Sequence, residues 1–153
     1  MANTYAALYY HIIFSTKNRE NLISPDLESR IWAYLGGIAR DNDFKAIAIG
    51  GTANHVHLLV SSPPNLAVSK AVQLMKGGSS AWIKDAFPEI AGIGHFAWQD
   101  GYASFSVSQS QLGEVEKYIA GQREHHRTKT FEEEYQAFLA KHEIAADEKY
   151  LWG

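Results

Sequence analysis

The feature that most restricts the fold is a repeated change of apolar period along the chain. Tyr5 to Thr16 is rich in aromatic and β-branched residues (Tyr9, Tyr10, Ile12, Ile13, Phe14), which predicts a strand. Ser24-Pro25 then reads as a cap with proline in the first turn, and Leu27, Ile31, Tyr34, Leu35 and Ile38 recur at spacings of three and four. Residues 25–41 are therefore expected to form an amphipathic helix ended by Asp41-Asn42-Asp43. Lys45 to Gly50 and His55 to Val60 predict two strands joined by a turn at Gly50-Gly51-Thr52-Ala53-Asn54. After Pro63-Pro64-Asn65 the apolar positions from Leu66 to Ile83 predict a second helix. It is expected to bend near Gly77-Gly78, since each glycine weakens a helix interior by about 1 kcal/mol relative to alanine. Asp100-Gly101 between Phe96–Trp98 and Tyr102–Val107 is a hairpin signal. Ser108 or Ser110 can cap a third helix over about 111–127, with Leu112, Val115 and Ile119 on its buried face. Phe131, Tyr135, Phe138 and Leu139 suggest one more short helix in a polar tail, 127–153. This order of elements predicts an α+β fold, an antiparallel sheet with helices packed on it, ferredoxin-like or RNA-recognition-like.

A chain of 153 residues is long enough to bury a core and short enough to be one domain, so a single domain over 1–153 is expected, with its core at about 5–126. No apolar run approaches the roughly 18 residues of a membrane span. The N-terminus lacks the features of a secretory signal, and with no cysteine there is neither a disulfide framework nor a thiolate metal site. A cytoplasmic protein with no membrane partner is the expectation. The net charge of −3 argues against nucleic acid, yet residues 44–84 carry Lys45, Lys70, Lys76 and Lys84 and no carboxylate. That third of the chain can present a positive face on an acidic molecule. An equally ready reading is four lysines scattered over a solvated surface.

His55-Val56-His57 falls within a predicted strand, where side chains alternate, so both imidazoles leave the same face and can share a metal ion. Imidazole suits first-row metals, but two histidines need a third ligand, and the same pattern also fits an ordinary polar sheet face. Tyr118 and Gln122 lie four apart on the third predicted helix, with His125 one turn on, away from the face of Leu112, Val115 and Ile119. Alone, such a pair reads more simply as helix surface. Lys17, Arg19, Lys70, Lys76 and Arg123 are candidate phosphate contacts, and Tyr9, Trp82, Trp98 and Tyr102 are candidate stacking surfaces for unpaired bases that serve equally well as core.

Taken together, five segments resemble something specific. Tyr10-His11-Ile12-Ile13-Phe14-Ser15-Thr16-Lys17-Asn18-Arg19, Asn54-His55-Val56-His57-Leu58-Leu59-Val60, Lys76-Gly77-Gly78-Ser79-Ser80, Trp98-Gln99-Asp100-Gly101-Tyr102 and Tyr118-Ile119-Ala120-Gly121-Gln122 are similar to the ordered landmarks of the single-tyrosine HUH transposases. These are the transposases of insertion-sequence-200-like elements and their REP-associated relatives, and the resemblance covers about residues 5–126. It implies a transposase that cuts and rejoins hairpin-bearing single-stranded DNA through a 5′-phosphotyrosine, with Tyr118 as nucleophile. It further implies a divalent metal ion, Mg2+ or Mn2+, on His55, His57 and Gln122, and a homodimer in which one subunit's tyrosine helix can serve the other's histidines. Asn54 stands where relatives often have aspartate. The resemblance gives His11 no catalytic role. His125 and His126 read as surface residues complementing a helix C-terminus, and Glu132-Glu133-Glu134 as a solvated helix face.

Two other readings stay open. A host-adopted relative could bind structured DNA or RNA without cutting it, although binding alone would not call for His55, His57, Tyr118 and Gln122 together. A phosphodiesterase built on paired His-x-Ser/Thr motifs would need a second such motif, and the chain has none.

Overall fold

The computed structural model describes residues 3–88 and 96–153. Strands β1 (Leu8–Ser15), β2 (Lys45–Thr52), β3 (His55–Ser62) and β4 (Ala103–Val107) form one antiparallel sheet in the order β2-β3-β1-β4. Helices α1 (Pro25–Asp41) and α2 (Val68–Ala86) follow β1 and β3, giving the βαββαβ order expected of a ferredoxin-like domain. Strand alternation divides the sheet chemically. Ile12, Phe14, Val56, Leu58 and Val60 face α1 and α2 and join Ile31, Leu35, Met75 and Ile83 in the main core. On the opposite face stand His11, Ile13, His55 and His57, covered by α3 (Leu112–Ala120), the single turn α4 (Gln122–His125) and α5 (Phe131–Lys141). There Ile13, Ala103, Phe105, Phe131 and Tyr135 form a second, smaller core. No helix among the described residues is long and apolar enough to cross a membrane.

Three expectations are corrected. The Asp100-Gly101 hairpin does not form: β4 pairs with β1, and Trp98 instead makes an isolated bridge to Thr16. Burial outweighs turn propensity here, because Trp98 packs edge-on against both Phe14 and Phe96 in the core and its indole donates to Ser79 Oγ at 2.9 Å. Helix α2 runs unbroken through Gly77-Gly78, because Gly78 lets Ile38 of α1 come close: a Cβ there would lie 2.9 Å from Ile38 Cδ1. The third helix breaks at Gly121, so Tyr118 lies in the last turn of α3 and Gln122 begins a separate turn.

Gly50 brings that tyrosine helix onto the sheet. A Cβ on Gly50 would fall 2.4 Å from the backbone oxygen of Ile119, a contact that cannot be relieved by turning a side chain. Gly50→Ala is therefore expected to push α3 off β2 and cost about 1–3 kcal/mol, the usual range for overpacking, measurable as a lower urea midpoint. An unchanged midpoint would mean that α3 is not seated against β2 as described.

Candidate active site

The site grows out of the register of β3. His57 lies opposite Ile13 of β1 and Gly50 of β2, and His55 lies opposite Ser15 and Thr52, so both imidazoles stand in the middle of the sheet under the covering helices. Both are fully buried, and Gln122 and Glu134 are almost so. Each histidine is oriented from behind. His55 Nδ1 lies 2.9 Å from Asn54 Oδ1 and 3.1 Å from Thr52 Oγ1, while Asn54 Nδ2 donates to the Arg19 carbonyl, which fixes the amide's direction. Because the amide oxygen can only accept, Nδ1 carries the His55 proton and Nε2 presents a lone pair. His57 Nδ1 pairs with His11 Nε2 at 2.8 Å, leaving its own Nε2 aimed in the same direction.

What faces those nitrogens is a set of acceptors. His55 Nε2 is 2.9 Å from Gln122 Oε1, and His57 Nε2 is 2.9 Å from Glu134 Oε1. His126 Nε2 closes the ring, 3.0 Å from Gln122 Oε1 and 3.1 Å from Glu134 Oε1. One ligand atom each from His55, His57, His126 and Glu134 lies within 4.8 Å of the others, so this cluster could hold a metal ion. The donor chemistry fits one: a lone pair on His55 Nε2 aimed at an amide oxygen, beside a carboxylate, gains most from a shared cation.

Electrostatics keep His11 and His55 uncharged near neutral pH. Burial, then the charge of His57, pushes both His11 and His55 down to about 3. Burial alone would raise Glu134, but hydrogen bonds with His126 and His57 and the hydroxyl of Tyr118 hold it well below the ordinary carboxylate range. Tyr118 donates its hydroxyl proton to Glu134 Oε2, and Gln122 Nε2 donates to the same oxygen at 3.1 Å. Burial first, and then that carboxylate, push the phenol above its ordinary value. Beside the hydroxyl lies a cleft of about 200 Å³ lined by Tyr118, His125, Lys129, Glu134, Ala137, Phe138 and Lys141.

The structure thus gathers His55, His57, Gln122 and Tyr118 into one cluster within a single chain. The basic candidates are dispersed. Lys17 and Lys70 are exposed, Arg19 lies 3.9 Å from Glu132 and over the Trp152 ring, and Arg123 pairs with Glu28. Lys76 spends its three protons on the carbonyls of Gln99, Asp100 and Gly101, so a phosphate contact there would require breaking the loop's anchor. Sequence reasoning missed Glu134, His126 and the supporting roles of His11 and Asn54. The reading of Glu132-Glu133-Glu134 as a solvated face is corrected: Glu133 completes a capping box with Thr130, and Glu134 is buried. A signal was present, because Glu134 occupies the apolar stripe of Phe131, Tyr135 and Phe138, where a carboxylate needs a partner.

Asn54 gives a direct test of the orienting shell. Asn54→Ala leaves every ligand in place but frees His55 to rotate, so divalent-ion affinity should fall about 10- to 100-fold by calorimetry, as for other groups that orient metal-binding histidines. Unaltered affinity would remove Asn54 from that role.

Comparison with known proteins points one way. The family model described as "Transposase IS200 like" matches residues 4–122. The ISDra2 transposase TnpA of Deinococcus radiodurans is 29% identical over 119 residues, spanning 76% of this chain and 85% of that protein. The transposase for insertion sequence element IS200 of Salmonella typhimurium is 24% identical over 126 residues, spanning 81% of this chain and 82% of that protein. Among solved structures, a protein of Deinococcus radiodurans R1 assigned as a transposase superposes with a TM-score of 0.65 at 26% identity, over 80% of this chain and 95% of that one. A REP-associated tyrosine transposase bound to a REP hairpin shares the fold, with a TM-score of 0.57 at 14% identity over 79% and 70% of the two chains.

Proposed function

This chain belongs to the IS200-like transposase family, and from that premise we propose that it cleaves and rejoins single-stranded DNA at hairpin-bearing ends through a 5′-phosphotyrosine on Tyr118. The observation that carries the reading is the shared carboxylate: Glu134 receives the Tyr118 hydroxyl on one oxygen and faces His57 and His126 with the other. Nucleophile and metal-capable cluster are therefore parts of one site rather than neighbours by chance.

The chain's own groups account for the steps. The Tyr118 oxygen bonds to phosphorus as the bond from phosphorus to the 3′ oxygen breaks, and the 3′ oxygen leaves as a hydroxyl after taking a proton. Glu134 Oε2 is within reach of the proton that the phenol gives up. Because that phenol is held above its ordinary value, positive charge must gather at the site before attack, and Lys129 and Lys141 on the neighbouring cleft are placed to bring a phosphate beside Tyr118. A divalent ion, Mg2+ or Mn2+, held by His55, His57 and Gln122 would polarise a nonbridging phosphate oxygen and offset charge in the transition state. Rejoining is the reverse exchange on another 3′ hydroxyl, and since one phosphodiester is traded for another, no nucleotide is consumed.

Support for a hairpin substrate comes from the REP-associated transposase of the same fold, which is bound to a REP hairpin. His55, His57, Gln122 and Tyr118 come together within one chain, and a homodimer would bring two DNA ends together. The test is to incubate the protein with Mn2+ and labelled single-stranded oligonucleotides carrying hairpins. A covalent adduct that survives denaturing electrophoresis is expected, and failure on every end from the source element would favour a protein that only binds.

A further inference from the structure

The segment that follows the family-matched region contributes two donors to the same cluster. Residues 4–122 include His55, His57 and Gln122, but His126 and Glu134 lie beyond them. We propose that His126 and Glu134 are metal ligands, completing with His55, His57 and Gln122 a five-donor shell that prefers a transition-metal ion to magnesium and fastens helix α5 over the sheet.

The spacing of the donors argues for this. Ligands about 2.1 Å from one ion and at right angles to each other stand about 3.0 Å apart. Four of the donor pairs here are separated by 2.9, 2.9, 3.0 and 3.1 Å, and the pair His55 Nε2 and Glu134 Oε1 by 3.6 Å. The four atoms from His55, His57, His126 and Glu134 lie within 4.8 Å of one another, and Gln122 Oε1 stands 2.9 and 3.0 Å from two of them, the spacing expected of donors that share one ion. Burial sets the donors' directions. Glu134 is held on the apolar face of α5 by Phe131 and Tyr135, both buried, while Tyr118 and Gln122 engage its second oxygen. His126 Nδ1 pairs with the Lys129 carbonyl, which leaves Nε2 turned into the cluster.

Donor identity argues for the choice of ion. Magnesium binds through oxygen and keeps several waters, whereas three imidazole nitrogens with one carboxylate and one amide oxygen suit first-row transition metals. A site completed by Glu134 and His126 also ties the ion to α5, so binding should order that helix.

This inference rests on the proposed metal site, and the experiment separates the two. Mn2+ titration of the full chain by calorimetry should give at least tenfold weaker binding for His126→Ala and for Glu134→Gln, and at least tenfold weaker binding of Mg2+ than of Mn2+ to the unaltered chain. His55→Ala is the reference arm. If it weakens Mn2+ binding while His126→Ala and Glu134→Gln stay within twofold of the unaltered chain, α5 supplies no ligand and the proposal falls, but the histidine pair stands. If His55→Ala also changes nothing, the metal site itself is misplaced. Because altering Glu134 could disturb folding, hydrogen exchange on the unaltered chain supplies an independent measure. Mn2+ should slow amide exchange over 131–141, and protection confined to 112–125 would overturn the proposal.

Discussion

Tyr118→Phe is expected to remove the covalent protein–DNA adduct altogether and to lower strand cleavage by at least about 10³-fold, the scale on which loss of a covalent nucleophile acts. The substitution is conservative for the fold. The ring lies edge-on to Phe138 and within 5.7 Å and 6.2 Å of the His57 and His11 rings, and phenylalanine keeps all of these contacts. What disappears is the hydroxyl, with its bond to Glu134 and its 3.3 Å contact with His125 Nε2. A hydrogen bond to a charged acceptor is worth about 1.5–3 kcal/mol, but Glu134 Oε2 retains the Gln122 amide, so the melting temperature should fall only modestly. Hairpin binding should persist, because the substitution removes a single hydroxyl and leaves the rest of the surface unchanged. An adduct that survives Tyr118→Phe would place the nucleophile elsewhere, and intact binding without any adduct from the unaltered chain would make this a binding protein with a vestigial site.

The sheet was legible because strand alternation is a simple code. Ile12, Phe14, Val56 and Leu58 alternate with His11, Ile13, His55 and His57 in the sequence, and the two sets lie on opposite faces of the structure. Helix α1 starts and stops where Ser24-Pro25 and Asn42 suggest, since capping is a local property. Errors arose where a distant partner outweighed a local preference. Asp100-Gly101 favours a tight hairpin, yet Trp98 gains more from Phe14, Phe96 and the Ser79 hydroxyl than from a short strand pairing. Gly77-Gly78 should weaken α2, yet the closeness of Ile38 is available only to a residue without a side chain. Phe14 and Ser79 are distant from Trp98 in sequence, as Ile38 is from Gly78.

The site shows the same division. His55 and His57 share a face by periodicity alone, but nothing local tells that His11 stands behind one and Asn54 behind the other, since those contacts depend on strand register and on the turn at residues 53–54. Glu134 was hidden by its neighbours, because a run of three glutamates reads as a charged surface even though its members end in an ion pair, a cap and a buried cluster. Position on the helix, rather than composition of the run, carried the information.

Without a bound divalent ion the protein is expected to be unusually sensitive to mild acid. His11 and His55 are buried and neutral, with pKa values of about 3 in the fold against an ordinary 6.5 in the unfolded chain. Between those values the unfolded chain takes up protons that the fold refuses, so stability is complete above about pH 6.5 and declines as the pH drops toward 3. Glu134 acts in the same direction at lower pH, because a carboxylate held below its ordinary 4.5 contributes stability that is lost as it becomes protonated. The window from pH 7 to pH 5 lies above ordinary carboxylate titration and so isolates the imidazoles. Over that window the loss should be on the order of 2 kcal/mol or more, seen as a falling urea midpoint in the presence of a chelator. His11→Phe, which keeps an aromatic ring against Phe105 and Phe138 but cannot be charged, should flatten part of that slope. A midpoint that does not move between pH 7 and pH 5 would mean that water reaches the cluster and that the histidines are not held as the fold depicts them. In that case the tight convergence of lone pairs on which metal binding depends would also be lost.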